Sequence, residues 1–330
     1  MPTGGLPHHG VEFLSAHARY ARRAAEACGY AFRSLDDADG YLFEVRDRGR
    51  VACFAAGAGT PYALNDARAA SIARDKAFCA EVLGAAGVPA LPGKKFFVTT
   101  RWAEMRTPGR EIEDALRFAR DAAFPIFCKP VSASNGLYAE VVEDADAFVD
   151  YVARVGREHF AILIQPFVRA PEYRVFVLEG QALFSYRKHA PRVIGDGVQS
   201  LEALVRRLPR EDGAPPLKAR ARSEAGRLLS PSEIVPADAV AILEGPANRS
   251  AGGGAEEVRD GARDDLRAIA LDAASAIDLR LAGVDIFDCG DDGLKIIEVN
   301  SNPMIATLED HGRWDLIEAI WRANIEAALR

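Results

Sequence analysis

The chain has 330 residues, of which 49% are hydrophobic and 27% are charged, so it is long enough to bury a sizeable core and to divide into two or three lobes. Its formal net charge of −7 gives no general attraction to nucleic acid or to an anionic membrane. Its five cysteines are scattered and form no CxxC pair, which argues against a zinc site and a disulfide framework. Because neither a signal-peptide pattern nor a run of about 18 apolar residues occurs, we expect a cytoplasmic protein.

Residues 1–64 predict a small N-terminal α/β lobe. In VEFLSAHARYARRAAEACGY the apolar residues follow a helical spacing that ends at a glycine. The segment GYLFEVRDRGRVACFAAG alternates apolar and polar residues, which is typical of a β-hairpin.

Residues 65–168 predict a second lobe. It begins with an alanine-rich helical stretch that is capped near Asn65 and broken near Gly87, after which Pro89 and Pro92 lead into the strand KKFFVTT. The apolar segments AFPIFCKP and FAILIQPFV are candidates for buried strands, and EDADAFVDYVARVGR between them favours a helix.

Residues 169–330 predict a third lobe. EYRVFVLEGQALFSYRK indicates a hairpin that turns at Glu179 and Gly180. The polar, proline-rich segment PREDGAPPLKARARSEAGRLLSPSE is interpreted as a loop, a lid or an irregular insertion. Two amphipathic helices, VRDGARDDLRAIALDAASAIDL and RWDLIEAIWRANIEAALR, flank a second hairpin. Mixed helices and strands throughout the chain predict an α/β (α+β) fold.

The second hairpin, LAGVDIFDCGDDGLKIIEVNSNP, carries acidic and amide side chains where apolar ones would pack more favourably. Side chains alternate along a strand, so Glu298 and Asn300 share a face, about 7 Å apart. A turn at Asp291 and Asp292 pairs Asp285 with Glu298, a turn one residue later pairs it with Asn300, and both registers put all three residues on one face. Such hard oxygen ligands suit Mg²⁺. Taken alone, the hairpin leaves open a polar outer sheet face, since acids are common there.

Two further segments suggest nucleotide binding. FCKPVSASNG places Lys129 at the end of an apolar run, and the small residues from Ser132 to Gly136 offer backbone N–H groups that phosphates bind. After AILIQPFV, whose backbone groups could meet a base edge, Glu172 is a candidate acceptor for two ribose hydroxyls. An ordinary loop, a core strand and a surface acid remain the alternatives when each segment is considered alone.

The order of these features along the chain resembles the ATP-grasp superfamily of carboxylate–amine ligases. The resemblance covers roughly residues 65–305 and is most like the ATP-grasp part of cyanophycin synthetase, through ARDKAFCAEVLGAAGVPA, PRVIGDGVQSLEALV, ANRSAGGGAEEV and both hairpins. Glutathione synthetase and ribosomal-protein glutamate ligases share the outline more distantly. The first 64 residues match no named family, and the Mur-ligase-like half of cyanophycin synthetase is absent from this sequence.

The resemblance implies an ATP-grasp fold, in which two α+β lobes clasp ATP, with two magnesium ions as further cofactors. Lys76, Lys129, Ser132 and Gly136 would contact the ATP phosphates. The adenine would lie against the backbone of Gln165, Phe167 and Val168, and the ribose against Glu172. The two metal ions would be bound by Asp285, Glu298 and Asn300.

The resemblance also places Arg174, Arg187 and Asn248 where relatives hold the carboxylate or its acyl phosphate. Gln165 stands where an acid is frequent, and Arg249 where an apolar residue is usual, so adenine and acyl recognition differ in detail from these relatives. Solvated hairpin charges are the alternative for Arg174 and Arg187. The basic residues near the proposed acyl site favour an acidic or peptide-like carboxylate; they are Arg174, Arg187, Lys188, Arg192 and Arg249.

The resemblance therefore implies an ATP-dependent carboxylate–amine ligase that forms an amide bond through an acyl phosphate and releases ADP and phosphate. Amino acids or short peptides are the expected substrates, nucleic acid and membranes are not expected partners, and a homodimer is left open. No Ser-His-Asp or Cys-His arrangement is evident, as expected for a reaction without a protein nucleophile. The alternatives are an ATP-grasp kinase, a ligase with a non-amine acceptor and a nucleotide-binding protein without turnover.

Overall fold

The computed structural model describes residues 13–57, 60–133, 136–208, 217–244, 247, 249 and 252–330. In that part of the chain the helices are α1 (Ala16–Ala27), α2 (Ala67–Arg74), α3 (Lys76–Ala85), α4 (Ile112–Arg120), α5 (Ala145–Val155), α6 (Leu201–Arg206), α7 (Asp264–Ile277), α8 (Ala306–Asp310) and α9 (Trp314–Ala328). None of them is both long enough and apolar enough to cross a membrane.

The strands of the described residues form several antiparallel sheets, so the predicted mixed α/β class is confirmed. They are β1 (Ala31–Ser34), β2 (Leu42–Asp47), β3 (Arg50–Ala55), β4 (Lys94–Phe97), β5 (Ile126–Pro130), β6 (Glu140–Val142), β7 (Ala161–Pro166), β8 (Glu172–Leu178), β9 (Gln181–His189), β10 (Arg192–Ile194), β11 (Ala221–Ser223), β12 (Leu228–Leu229), β13 (Val240–Leu243), β14 (Gly254–Ala255), β15 (Arg259–Asp260), β16 (Leu281–Asp288) and β17 (Leu294–Asn300).

The N-terminal sheet, β1-β2-β3, shares its core with the C-terminal helix α9. Trp321 of α9 is fully buried, and its ring centroid lies 5.9 Å from those of Phe43 and of Phe54. Helix α1 packs beside α9 against the same sheet. The first 64 residues therefore obtain much of their burial from the other end of the chain, and the boundary at residue 64 stays a prediction.

The second sheet has the order β4-β7-β5-β6. Helices α4 and α5 pack on one face, around the buried rings of Phe96 and Phe148. The other face carries Phe97 and Leu163, which pack against Ala77 of α3. This second face also carries Lys129, because Lys129 is the cross-strand neighbour of Leu163.

The central sheet has the order β14-β9-β8-β16-β17, with β15 also paired to β9. Helix α7 covers one face of this sheet. Ile269 of α7 packs in the same apolar core as Val175 of β8 and Val284 of β16. On the opposite face, Phe176 and Phe184 belong to the core shared with the N-terminal sheet. The remainder of that face carries the polar side chains of the candidate site.

The segment interpreted as a loop, lid or irregular insertion contributes the short strands β11 and β12 to a small folded unit. Strands β10, β13, β11 and β12 form a sheet in that order, and α6 packs on it. Its buried residues, among them Val193, Leu201 and Leu243, form a separate core. Strands β11 and β12 were not predicted, because the segment is polar and proline-rich and each strand is too short to show an alternation of apolar and polar residues. Residues 209–216 lie outside the described part.

The helical stretch after Asn65 is capped as predicted but is divided into two helices. Asp66 is the N-cap of α2, and Asp75 interrupts the stretch by accepting hydrogen bonds from the N–H groups of Ala77 and Phe78 at the start of α3. Asn65 donates to the carbonyl groups of Leu281 and Ser301. It thereby ties the start of α2 to the hairpin β16–β17.

Candidate functional site

The hairpin β16–β17 places the three predicted metal ligands on one sheet face. Asp285 is directly opposite Glu298, the first of the two predicted registers, and Asn300 lies two residues further along β17. The side-chain nitrogen of Asn300 donates to Glu298 Oε1 at 3.1 Å. The donor set of two carboxylates and one amide oxygen fits Mg²⁺. No cluster of three or more His, Cys, Asp or Glu side chains suited to a metal occurs among the described residues.

The turn that leads to this register is longer than predicted. The pair nearest the turn is Asp288 with Leu294, so five residues form the loop, with a 3₁₀ turn at Gly290–Asp292. A β-bulge then leaves Ile297 without a partner of its own, since Ile286 pairs with Ile296 while Asp285 pairs with Glu298. Without the bulge, Asp285 would face Ile297. The predicted two-residue turn is therefore wrong, and the bulge compensates for the difference.

The site extends across four strands of the central sheet through directly paired residues. Tyr186 on β9, Arg174 on β8, Asp285 on β16 and Glu298 on β17 pair in succession, so these four side chains lie on one face. In the adjacent row, Lys188 of β9 is opposite Glu172 of β8. The sheet thus brings the predicted ribose acceptor, one predicted acyl-site arginine and the predicted metal ligands together.

The carboxylate of Asp285 is bound by two cationic side chains. Arg174 donates from Nε to Oδ1 and from a terminal nitrogen to Oδ2, each at 2.7 Å, and Lys188 donates to Oδ2 at 3.0 Å. Asp285 is 1% exposed. Burial opposes the charge on Arg174, but the Asp285 carboxylate outweighs it and raises the pKa of Arg174. The two residues thus form a bidentate, charge-assisted ion pair in which the carboxylate is buried.

Lys188 joins two carboxylates, because it also donates to Glu172. Burial disfavours the ammonium of Lys188, yet Asp285 and Glu172 together raise its pKa. Burial raises the pKa of Glu172, and the charge of Lys188 opposes that rise. The sequence analysis named Lys188 only as one of several basic residues; that it connects the predicted ribose acceptor to a predicted metal ligand was missed.

Lys76 reaches the site from helix α3, and Lys129 reaches it from strand β5 of the second sheet. Asp75, by breaking the helix, puts Lys76 in the first turn of α3, where its Nζ lies 4.0 Å from Glu298 Oε2. Burial lowers the pKa of Lys129, which is 4% exposed, although Glu298 opposes that shift. Burial would raise the pKa of Glu298, but Lys76, Lys129 and Lys188 hold it far below its usual range. Glu298 therefore stays ionised at neutral pH.

The predicted phosphate loop is hydrogen-bonded to Lys76. The backbone N–H of Lys76 donates to Val131 O at 2.9 Å, and its Nζ donates to Ala133 O at 2.7 Å. Ser132 lies between these two carbonyls, and Gly136 adopts a φ of 70°, which favours glycine. Residues 134 and 135 lie outside the described part of the chain. The contact of Ser132 and Gly136 with phosphates stays a prediction.

The predicted adenine segment lies at the junction of the two sheets. Gln165 is buried, and its Nε2 donates to Leu91 O at 3.3 Å, while the Leu91 N–H donates to Ile296 O of β17. Gln165, Lys76 and Glu298 line a cavity of about 10 Å³, which has room for about one water molecule. Phe167 and Val168 follow β7 and are half-buried. The contact of this segment with adenine stays a prediction.

Arg187 does not join the cluster. The predicted turn at Glu179 and Gly180 is confirmed, but Phe176 pairs with Phe184 while Val177 pairs with Ala182, so Leu183 is the extra residue of a bulge. Continued from the turn without the bulge, β9 would place Arg187 opposite Glu172. The bulge puts Lys188 there instead, and Arg187 points to the other face, where it lies 3.5 Å from Glu256.

The other basic residues expected near the acyl site lie elsewhere or outside the described part. Arg192 is exposed on β10 of the small sheet. Arg249 donates to Asp310 of α8 at 2.8 Å. Asn248 is not among the described residues. Of the five basic side chains that suggested an acidic substrate, Arg174 and Lys188 are the two that the sheet brings to the metal ligands.

Residues 244–323 match the RimK-like ATP-grasp domain, and these residues contain the hairpin β16–β17. This match confirms the resemblance to the ATP-grasp superfamily. The finer resemblance to cyanophycin synthetase stays a prediction.

The chain is also similar in sequence to curated proteins of glutathione biosynthesis. The glutathione biosynthesis bifunctional protein of Desulfotalea psychrophila is 28% identical over 204 residues, which cover 54% of this chain and 26% of that protein. The protein of the same name from Streptococcus mutans is 25% identical over 218 residues, covering 58% of this chain and 28% of that protein. The chain thus spans 26–28% of the length of these relatives.

Solved structures with a similar chain trace include two enzymes. A bifunctional glutathione synthetase from Pasteurella multocida aligns with a TM-score of 0.48 at 21% identity, over 89% of this chain and 42% of that chain. A D-alanine–D-alanine ligase from Bacillus anthracis aligns with a TM-score of 0.49 at 14% identity, over 80% of this chain and 69% of that chain.

Proposed function

We propose that this chain is an ATP-dependent carboxylate–amine ligase, which forms an amide or peptide bond through an acyl phosphate and releases ADP and phosphate. One observation carries the proposal: four cationic side chains and three carboxylates are brought to one partly buried junction between two sheets. The cations are Lys76, Lys129, Arg174 and Lys188, and the carboxylates are Glu172, Asp285 and Glu298. Such a concentration of charge suits phosphoryl transfer, which depends on positioning and charge neutralisation.

The reaction needs activation because a carboxylate is a poor electrophile at neutral pH. An oxygen of the substrate carboxylate attacks the γ-phosphorus of ATP, and ADP leaves. The amine then attacks the acyl carbon, phosphate leaves with the former carboxylate oxygen, and the amine loses its proton to solvent. Bound Mg-ATP supplies the phosphoryl group and neutralises part of its charge.

The chain's own residues position and neutralise these groups. Lys76 and Lys129 would face the phosphates, Glu172 the ribose, and Asp285, Glu298 and Asn300 would hold magnesium. Arg174, which lies on the site face and pairs with Asp285, would contact the substrate carboxylate through its remaining N–H groups. The presence of two ions rather than one, the role of Asn248 and a cytoplasmic location stay predictions.

The test is a phosphate-release screen in which amino acids and short peptides are added in pairs with Mg-ATP. The expected result is ADP, free phosphate and a product one water lighter than the two substrates together. Glu298→Gln provides the control, because it keeps the shape of the side chain and removes the charge. Release of AMP and pyrophosphate would contradict the proposal, and phosphate retained on the product would indicate a kinase.

A further inference from the structure

The oxygens of Asp285 are largely used by the protein itself. Each carboxylate oxygen offers about two acceptor positions. Arg174 and Lys188 occupy both positions of Oδ2, and Arg174 occupies one of Oδ1. A metal ion at Asp285 must therefore displace or share contacts with two charged donors, of which Lys188 is buried and Arg174 is partly buried.

Assuming that the chain binds Mg-ATP as proposed above, we propose that Lys188 and Arg174 hold Asp285 in the nucleotide-free protein and oppose metal binding, so that magnesium reaches Asp285 together with the nucleotide. Lys188 is a positioning residue in this arrangement, because it acts through Asp285 and Glu172.

The charges of the site support this coupling. Without nucleotide the junction has four cationic side chains against three carboxylates, so a divalent cation would enter a site with an excess of positive charge. Repulsion between charges a few ångströms apart is strong where water is largely excluded. A nucleotide brings several negative charges, which reverse the balance and make a metal ion favourable.

Lys188 also connects the two halves of the predicted nucleotide site. Its ammonium bridges Glu172, the predicted ribose acceptor, and Asp285, the predicted metal ligand. Ribose hydroxyls at Glu172 would compete with Lys188 for that carboxylate, and phosphate oxygens would offer Lys188 other acceptors. Nucleotide binding would thus weaken the hold of Lys188 on Asp285 when the metal arrives.

The experiment is a Mn²⁺ titration of the purified full chain, with free Mn²⁺ followed by electron paramagnetic resonance. The titration is run without nucleotide and with ADP, and is corrected by a titration of ADP alone. The variants are Lys188→Met, which keeps length and removes charge, and the matched control Lys218→Met, which breaks a lysine–carboxylate pair with Glu140 away from the junction.

We expect weak Mn²⁺ binding to the nucleotide-free wild type and clear binding with ADP. Lys188→Met should strengthen nucleotide-free binding about tenfold or more, because one positive charge beside the metal is removed, and Lys218→Met should leave it unchanged. Thermal unfolding checks that each variant is folded; if Lys188→Met is not, Lys188→Gln is titrated instead.

Unchanged or weaker nucleotide-free binding in the folded Lys188 variant would overturn the inference, as would tight Mn²⁺ binding by the nucleotide-free wild type. In both cases the proposed function stands if Mn²⁺ binds with ADP. Absence of Mn²⁺ binding to the wild type even with ADP would instead contradict the proposed metal site and the inference together.

Discussion

The two hairpins that form the candidate site differ in the charges they supply and in the way they turn. β8–β9 turns through Glu179 and Gly180 and contributes the cations Arg174 and Lys188 together with the carboxylate of Glu172, whereas β16–β17 turns through a five-residue loop and contributes the carboxylates of Asp285 and Glu298. Both contain one bulge between the turn and the charged residues.

Because of the bulges, the turn alone does not determine which side chains of a hairpin face the site. A single extra residue moves every later side chain of its strand to the opposite face relative to its partner. In β9 the extra residue is Leu183, and in β17 it is Ile297. Which residues face the site therefore depends on the bulges as much as on the turns.

The largest expected effect belongs to the carboxylate hairpin. Glu298→Ala should lower turnover by about 10²- to 10³-fold, because it removes a predicted metal ligand and the charge that faces Lys76 and Lys129. Turnover is measured with the substrate pair found by the screen, and circular dichroism checks the fold. Glu256→Ala, on the other sheet face, is the matched control. Activity within tenfold of the wild type would break the assignment of Glu298.

A smaller but substantial effect is expected in the cationic hairpin. Arg174→Ala should lower kcat by about 10²-fold, because a bidentate guanidinium beside Asp285 is lost. Arg174→Lys keeps the charge without the fork, so it should recover only part of the activity. Full activity of Arg174→Lys would show that charge alone suffices and that the two-pronged geometry is unimportant.

Much of this architecture follows from sequence pattern, but the two bulges do not. Long apolar periods predicted α7, α9 and both hairpins, because burial on one face leaves a regular trace in the sequence. Leu183 and Ile297 are ordinary apolar residues in strands, so nothing local marks them as unpaired. Asp285 and Glu298 were paired correctly only because an error in the turn and the bulge offset each other.

Other differences arise from tertiary contacts that one segment cannot reveal. The side-chain amide of Asn65 donates to the carbonyl groups of Leu281 and Ser301, which lie more than 200 residues away. The small sheet is held by pairing between β10, β11 and β13, each too short to show a period. The predicted roles of Lys76 and Glu172 came from resemblance, and their contact with nucleotide stays a prediction.

Replacing one glycine in each hairpin, Gly283 and Gly180, should lower the stability of the protein by different amounts. A Cβ on Gly283 would lie 2.8 Å from Pro303 Cβ, so Gly283→Ala should lower the free energy of unfolding by about 1–3 kcal/mol. Gly180 has open space around it and a φ of 73°. Gly180→Asn should therefore change stability by only about a few tenths of a kcal/mol, because asparagine tolerates this conformation. Urea unfolding measures both, and equal losses would contradict the steric argument.

The smallest expected effect is the sharpest test of the bulge at Leu183. Arg187→Ala should leave kcat within about twofold of the wild type, because Arg187 points away from Arg174 and its partner Glu256 is about half exposed. Lys188→Ala, one residue further along, should alter nucleotide affinity, because Lys188 is buried between Glu172 and Asp285. Isothermal titration with ADP and Mg²⁺ compares the two variants side by side. If Arg187→Ala changed binding while Lys188→Ala left it unchanged, β9 would follow the register of its turn in solution, and the face assigned to every residue after Leu183 would have to be reversed.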